Sequence, residues 1–180
     1  FNAIDKATFE VIISDFAYIT MISMILVGIV VLITFRSLSK GMMPMIVVMN
    51  SLIWTMGIIG YLGLTITVVS MVAAAMIMGL GIDFGIHIVH SYFNRKKEEG
   101  SKPKAIKETI KELLRAMVGA SLTTIAGFLA LLFGVLPAMK VLGVILSIGI
   151  FNTLIGVIFL LPTIIIYYDR IQHQKKKDTI

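Results

Sequence analysis

Asp83, His87 and His90 are the residues of this chain whose types and spacing could do chemistry. They stand in the otherwise apolar stretch Ile66–Phe93. Separations of four and three residues place all three side chains on one face of a helix. Hydrocarbon penalises a charged carboxylate, so a carboxyl at membrane depth takes up and releases its proton under the control of its neighbours. Imidazoles one and two turns along could hand that proton toward an aqueous surface. A metal site built on the same three side chains lacks further ligands, since no other acid or histidine lies in an apolar stretch. No cofactor is called for.

The elements that must hold this face are apolar runs. Of 180 residues, 58% are hydrophobic and only 14% charged, with mean hydropathy +0.98. That excess cannot be hidden in one soluble core, which excludes an ordinary soluble enzyme, a nucleic-acid-binding module and a disordered tail. A spanning helix needs about 20 mostly apolar residues, and five runs qualify: 16–35, 41–62, 66–93, 116–136 and 141–168. They are too long for the roughly ten-residue alternating strands of a barrel. The expected fold is therefore an all-α membrane protein of five transmembrane helices. No nucleophile–base pair or phosphate-cradling loop is visible, which argues against an enzyme. The chain has no cysteine.

Charge sets the expected orientation. The loops 36–40, 94–115 and 170–180 carry two, eight and four Lys or Arg, against two in all the rest of the chain. Positive residues gather on the cytoplasmic side, so the N-terminus is expected outside and the C-terminus inside a plasma membrane. Topology accounts for the net charge of +6 without nucleic acid. An external N-terminus beginning at Phe1, without a signal peptide, reads as a fragment lacking at least one upstream span. Ser101 and Pro103 mark a helix start. Ile106, Ile110, Leu113, Leu114 and Met117 then recur at helical spacing, giving a short cytoplasmic amphipathic helix over 103–115 that rests on lipid and runs into the fourth span.

Asp83 lies near the middle of its span, so its side chain is expected to face other helices, a partner group or water. Gly79, Gly81 and Gly85 surround it, and small residues let neighbouring helices approach the carboxyl closely. Asn50, Asn152, Ser121, Thr123 and Thr124 are the other candidates for buried polar residues in the spans, most of them serving as packing glue.

The stretch Gly79-Leu-Gly-Ile-Asp83-Phe-Gly-Ile-His87, ending at Arg95, resembles the fourth transmembrane helix of the resistance–nodulation–division (RND) superfamily. Within it the likeness is to the hydrophobe/amphiphile and mycobacterial-membrane-protein-large exporters. The segment 121–131, followed by Pro137, Gly143 and Leu161-Pro162, resembles the fifth and sixth helices. The resemblance implies half of an RND-type bundle, with the first helix and an extracytoplasmic domain absent. It implies that Asp83 is the proton-coupling carboxylate and that Thr123 and Thr124 approach the carboxylate of a second half. Phe84 departs from the pattern, because related exporters often carry Tyr there; His87 becomes the candidate partner instead.

The resemblance further implies a proton-driven exporter of hydrophobic, lipid-like or amphiphilic molecules. Its partners would be membrane lipids, protons, the substrate, and a second RND half or a homodimer partner. Sterol-sensing domains resemble the same five-helix bundle, so a lipid-binding module without proton coupling is the alternative. A passive anchor would leave Asp83 unexplained.

Overall fold

Backbone amides in hydrocarbon have no water to bond, so apolar runs close their hydrogen bonds within helices. The computed structural model describes residues 3–64, 68–99 and 102–177, and nearly all of them are helical. The helices are α1 (Ala3–Phe35), α2 (Leu38–Tyr61), α3 (Val68–Glu99), α4 (Lys102–Leu129), α5 (Pro137–Ile155) and α6 (Leu161–Lys177). A 3-10 turn, Ala130–Phe133, ends α4, and a π-helical turn, Gly156–Leu160, joins α5 to α6. Five helical stretches are long and apolar enough to cross a membrane, the fifth running from Pro137 to Ile171 without a break.

The connections follow from local chemistry. Gly63 closes α2 with φ +67, a left-handed conformation that side chains resist, while the Leu64 N–H returns to the Ile59 carbonyl at 3.1 Å. Pro137 opens α5, where a missing N–H is harmless. Pro162 sits where helix must continue. Having no N–H to offer and a ring that crowds the carbonyl four residues back, it follows directly on the wider π-helical turn, which gives the chain the needed room.

α3 is the central helix, in contact with α1, α2, α4 and α5, while α5 also meets α2 and α4. Without a hydrophobic force between helices in lipid, close packing must hold the bundle. Glycine supplies it. A Cβ on Gly85 would stand 2.5 Å from Pro44 of α2, and one on Gly81 would stand 2.8 Å from Thr153 of α5. Gly149 faces Ile77 and Gly143 faces the Phe128 carbonyl more tightly still.

Residues 107–115 run into the fourth span unbroken, as the first part of α4. Their apolar side meets protein rather than lipid: Thr109 is buried, and Ile110 and Leu113 pack on the cluster of Tyr92, Met117 and Ile165. The start of the third span at residues 65–67 and the Ser101 cap lie outside the described residues.

At the end of the bundle that carries Arg36, a polar clamp joins α6 to α3. Asp169, 2% exposed, accepts a hydrogen bond from the Tyr92 hydroxyl at 2.5 Å and one from Lys96 Nζ at 2.7 Å. Arg95 pairs with Glu112 of α4, and Lys40 Nζ lies 4.3 Å from the centre of the Phe93 ring. Several basic residues at this end are thus engaged with the protein.

Two outcomes follow for stability. Gly143→Ala sets a methyl against a backbone carbonyl and is expected to lower stability by about 1–3 kcal/mol. Gly127→Ala, where a Cβ meets nothing within 4 Å, is expected to leave stability unchanged or raised by up to about 1 kcal/mol. Thermal unfolding in detergent, followed by circular dichroism, separates the two. By the same measurement, Tyr92→Phe strips a donor from a buried carboxylate and is expected to lose about 1–3 kcal/mol.

Candidate functional site

An α-helix turns about 100° per residue, so residues two apart point to nearly opposite sides. Gly81 faces α5 and α2, Gly85 faces α2, and Asp83 lies two residues from each. Its carboxyl is therefore turned away from the packed side of α3. Asp83, His87 and His90 are all exposed, and with Val72, Gly79 and Leu80 they form one uncovered stripe along the central helix.

Of the expected surroundings, other helices, a partner group or water, the first is not met within the described residues. No helix among the described residues covers Asp83. The glycines two residues either side serve contacts on the opposite face, while a Cβ on Gly79, within the stripe, would meet nothing within 4 Å. Depth is a separate matter. Asp83 is the middle residue of the apolar stretch Ser70–Lys96, thirteen residues from each end. At 1.5 Å rise per residue that is about 20 Å, far beyond the reach of an aspartate side chain. The carboxyl is both central and uncovered.

The threonines lie on the neighbouring helix. Thr123 is exposed and Thr124 half-buried, and their hydroxyls donate to the Ala120 carbonyl at 2.9 and 2.8 Å. Neither hydroxyl is hydrogen-bonded to Asp83. Around them α4 also presents small residues: Ala116, Gly119, Ala120, Ala126 and Gly127 are exposed. Cβ atoms on Gly119 and Gly127 would meet nothing within 4 Å. A surface of small side chains, with hydroxyls satisfied by their own helix, suits the close approach of another helix.

Two polar groupings escaped the reading of the sequence. One is the Tyr92–Asp169–Lys96 clamp. The other links α2 to α5: Asn152 Nδ2 donates to Thr55 Oγ1 at 3.1 Å, and the Ser51 hydroxyl lies 2.9 Å from the Val47 carbonyl and 3.4 Å from that of Asn152. Both join residues more than seventy positions apart, and no spacing rule reports such pairs. Ser121 is buried with no hydrogen-bond partner among the described residues. Among those residues, too, no three acidic or imidazole side chains converge to hold a metal ion. What the α3 stripe offers chemically is a titratable carboxyl at the centre of the membrane with an imidazole one turn away.

Comparison with known proteins places this geometry in a family. The profile of the MMPL family matches residues 3–179. A membrane protein of Methanocaldococcus jannaschii is 33% identical over 154 residues, which are 86% of this chain and 40% of that protein. The membrane protein ActII-3 of Streptomyces coelicolor is 24% identical over 84% of this chain and 22% of its own length. A protein of Mycobacterium tuberculosis named "Probable transport protein MmpL12" is 22% identical over 76% of this chain and 12% of its own. The chain thus spans well under half of each of these relatives. With its five apolar helices and the match along almost its whole length, this multi-pass membrane chain belongs to the MMPL family.

Proposed function

We propose that the chain is the membrane part of a proton-driven exporter of hydrophobic, lipid-like or amphiphilic molecules, with Asp83 as the proton-coupling carboxylate. The observation that carries this reading is the position of Asp83, midway along the central helix on a face that nothing among the described residues covers. A carboxylate facing lipid at that depth costs about 2.5–3.5 kcal/mol on insertion scales. A covering surface removes the cost: a second RND-type half, or a second copy of this half, packed on the uncovered stripe. The small residues of α4 admit its helices closely, and Thr123 and Thr124 would then lie at the seam. Protonation of Asp83 changes how favourably that seam packs, and so couples a proton gradient to motion of one half against the other.

His87, one turn from Asp83, takes the place of the partner hydroxyl that Phe84 lacks, and His90 continues the relay toward the basic end. That end, carrying Arg36, Arg95, Lys96 and Arg170, faces the cytoplasm in this reading. The family membership and the relative named as a transport protein support a transporter, and the amphiphilic cargo is our extension.

The test uses the whole protein that contains this chain, in proteoliposomes loaded with a fluorescent amphiphile. Asp83→Asn is expected to reduce gradient-driven dye movement to background while leaving helicity and melting temperature unchanged. Retained pH-gradient-dependent movement in that variant overturns the proposal, and indifference of the unmodified protein to the gradient favours the sensing alternative. An independent readout is dicyclohexylcarbodiimide, which labels protonated carboxyls from within hydrocarbon. Labelling is expected at Asp83, lost in Asp83→Asn, and absent from the buried, clamped Asp169.

A further inference from the structure

On the other side of the bundle, α2 and the π-helical turn touch where Gly156 lies against Ser51 and Val47, each 3.0 Å from the place of a Cβ. Beside this contact is a cavity of about 250 Å³, lined by Asn50, Ser51, Trp54, Asn152, Ile155 and Phe159 among others. Its walls are aromatic and open outward, with Trp54 64% and Phe159 70% exposed. Its floor is polar. Asn152 and Ser51 are engaged with α2 and α5 as described, but the Asn50 amide takes part in no hydrogen bond among the described residues.

Asn50 stands twelve residues from Leu38 and eleven from Tyr61, the ends of α2. Its amide is therefore at the middle of the bilayer, about 15 Å from either polar surface. An amide without partners in hydrocarbon is costly, and no lipid headgroup reaches that depth. A helix, about 10 Å across, cannot seat its backbone in a cavity of about 250 Å³. A single chain or a slender ring system can, since even a cavity of roughly 150 Å³ holds benzene.

We infer that this notch binds an elongated apolar molecule carrying a hydroxyl, keto or amide group within its apolar body. The polar group bonds Asn50 and the free face of Asn152, and the apolar body lies between Trp54 and Phe159. Ordinary phospholipids, with unsubstituted chains, offer the amides nothing. This site lies away from Asp83 and does not depend on proton coupling.

Trp54 is the single tryptophan of this sequence, so in the whole protein, with any other tryptophan replaced by phenylalanine, its fluorescence reports on this notch alone. In nanodiscs of phosphatidylcholine brominated at mid-chain, the bromine atoms quench Trp54. The methyl ester of a mid-chain hydroxystearic acid is expected to restore the signal saturably, at about fivefold lower mole fraction than methyl stearate, the advantage of one net hydrogen bond. Asn50→Leu is expected to abolish that difference without changing the initial quenching. Phe159→Ala, on the opposite wall, is expected to weaken both esters alike, and it carries the test should Asn50→Leu lose helicity. Equal action of the two esters on the unmodified chain overturns the inference, as does a preference that survives Asn50→Leu. Absence of quenching before any ester is added would mean that a helix or a second copy already covers the notch, and overturns it equally.

Discussion

Every polar group inside hydrocarbon must find its partner within protein, and the bundle is arranged by how each of its polar side chains meets that demand. Hydroxyls meet it most cheaply, by bonding a carbonyl of their own helix. Thr34, Thr55, Ser147, Thr153 and Thr163 all do so, four residues back. Carboxyls and amides are not satisfied this way, because the helix leaves no free N–H for an acceptor and a carboxylate has no proton to donate. They need a second helix. Asp169 finds Tyr92 and Lys96, and Asn152 finds Thr55. Among the carboxyls and amides of the spans, Asp83 and Asn50 stand out because their helices point them where the described residues provide no partner.

The helix–helix contacts make those two exceptions informative rather than accidental. Where α3 meets α2 and α5, the contacts run through Gly81, Gly85 and Gly149, with backbone close to side chain and no room for a methyl. Such contacts fix the rotation of α3 about its own axis. Turning the helix to bring Asp83 inward would drive Ile82 and Phe84 out of their packed places and lift the glycines from their neighbours. The clamp at Tyr92 and Lys96 pins the same rotation nearer one end. An outward carboxyl is therefore a built property of the bundle, enforced along the length of its central helix.

The five spans were legible because an apolar run longer than a bilayer is thick has few alternatives, and Asp83 was legible because a charge interrupts one of them. Which way Asp83 points was not. In a soluble helix polar residues mark the outside, but α3 is apolar both toward lipid and toward its neighbours, so the pattern that reports orientation is nearly erased. Small residues were the remaining hint, and they misdirected the reading: glycines adjacent in sequence to Asp83 lie on the opposite face. Asp169 lies just past the fifth apolar run, 141–168, and its partner Tyr92 is 77 positions away, so no periodicity connects them. The amphipathic opening of α4 was recognised by its spacing, yet spacing alone cannot tell whether an apolar stripe will meet lipid or, as here, Tyr92 and Ile165.

The separation of the uncovered carboxyl from the core has a mechanical consequence. The clusters that hold the bundle around Val47, Met78, Ile145 and Leu161 do not include Asp83. A proton added there or removed acts on whatever surface lies against the stripe and leaves the interior contacts as they were. In a carboxyl buried among these five helices, each change of charge would strain the packing that keeps the fold, since uncompensated burial of a charge costs several kcal/mol. With Asp83 in the role proposed for it, its place on an outer face lets the bundle stay rigid while its relation to a neighbour changes. The proposed function requires those two properties together, a fixed interior and a switchable seam.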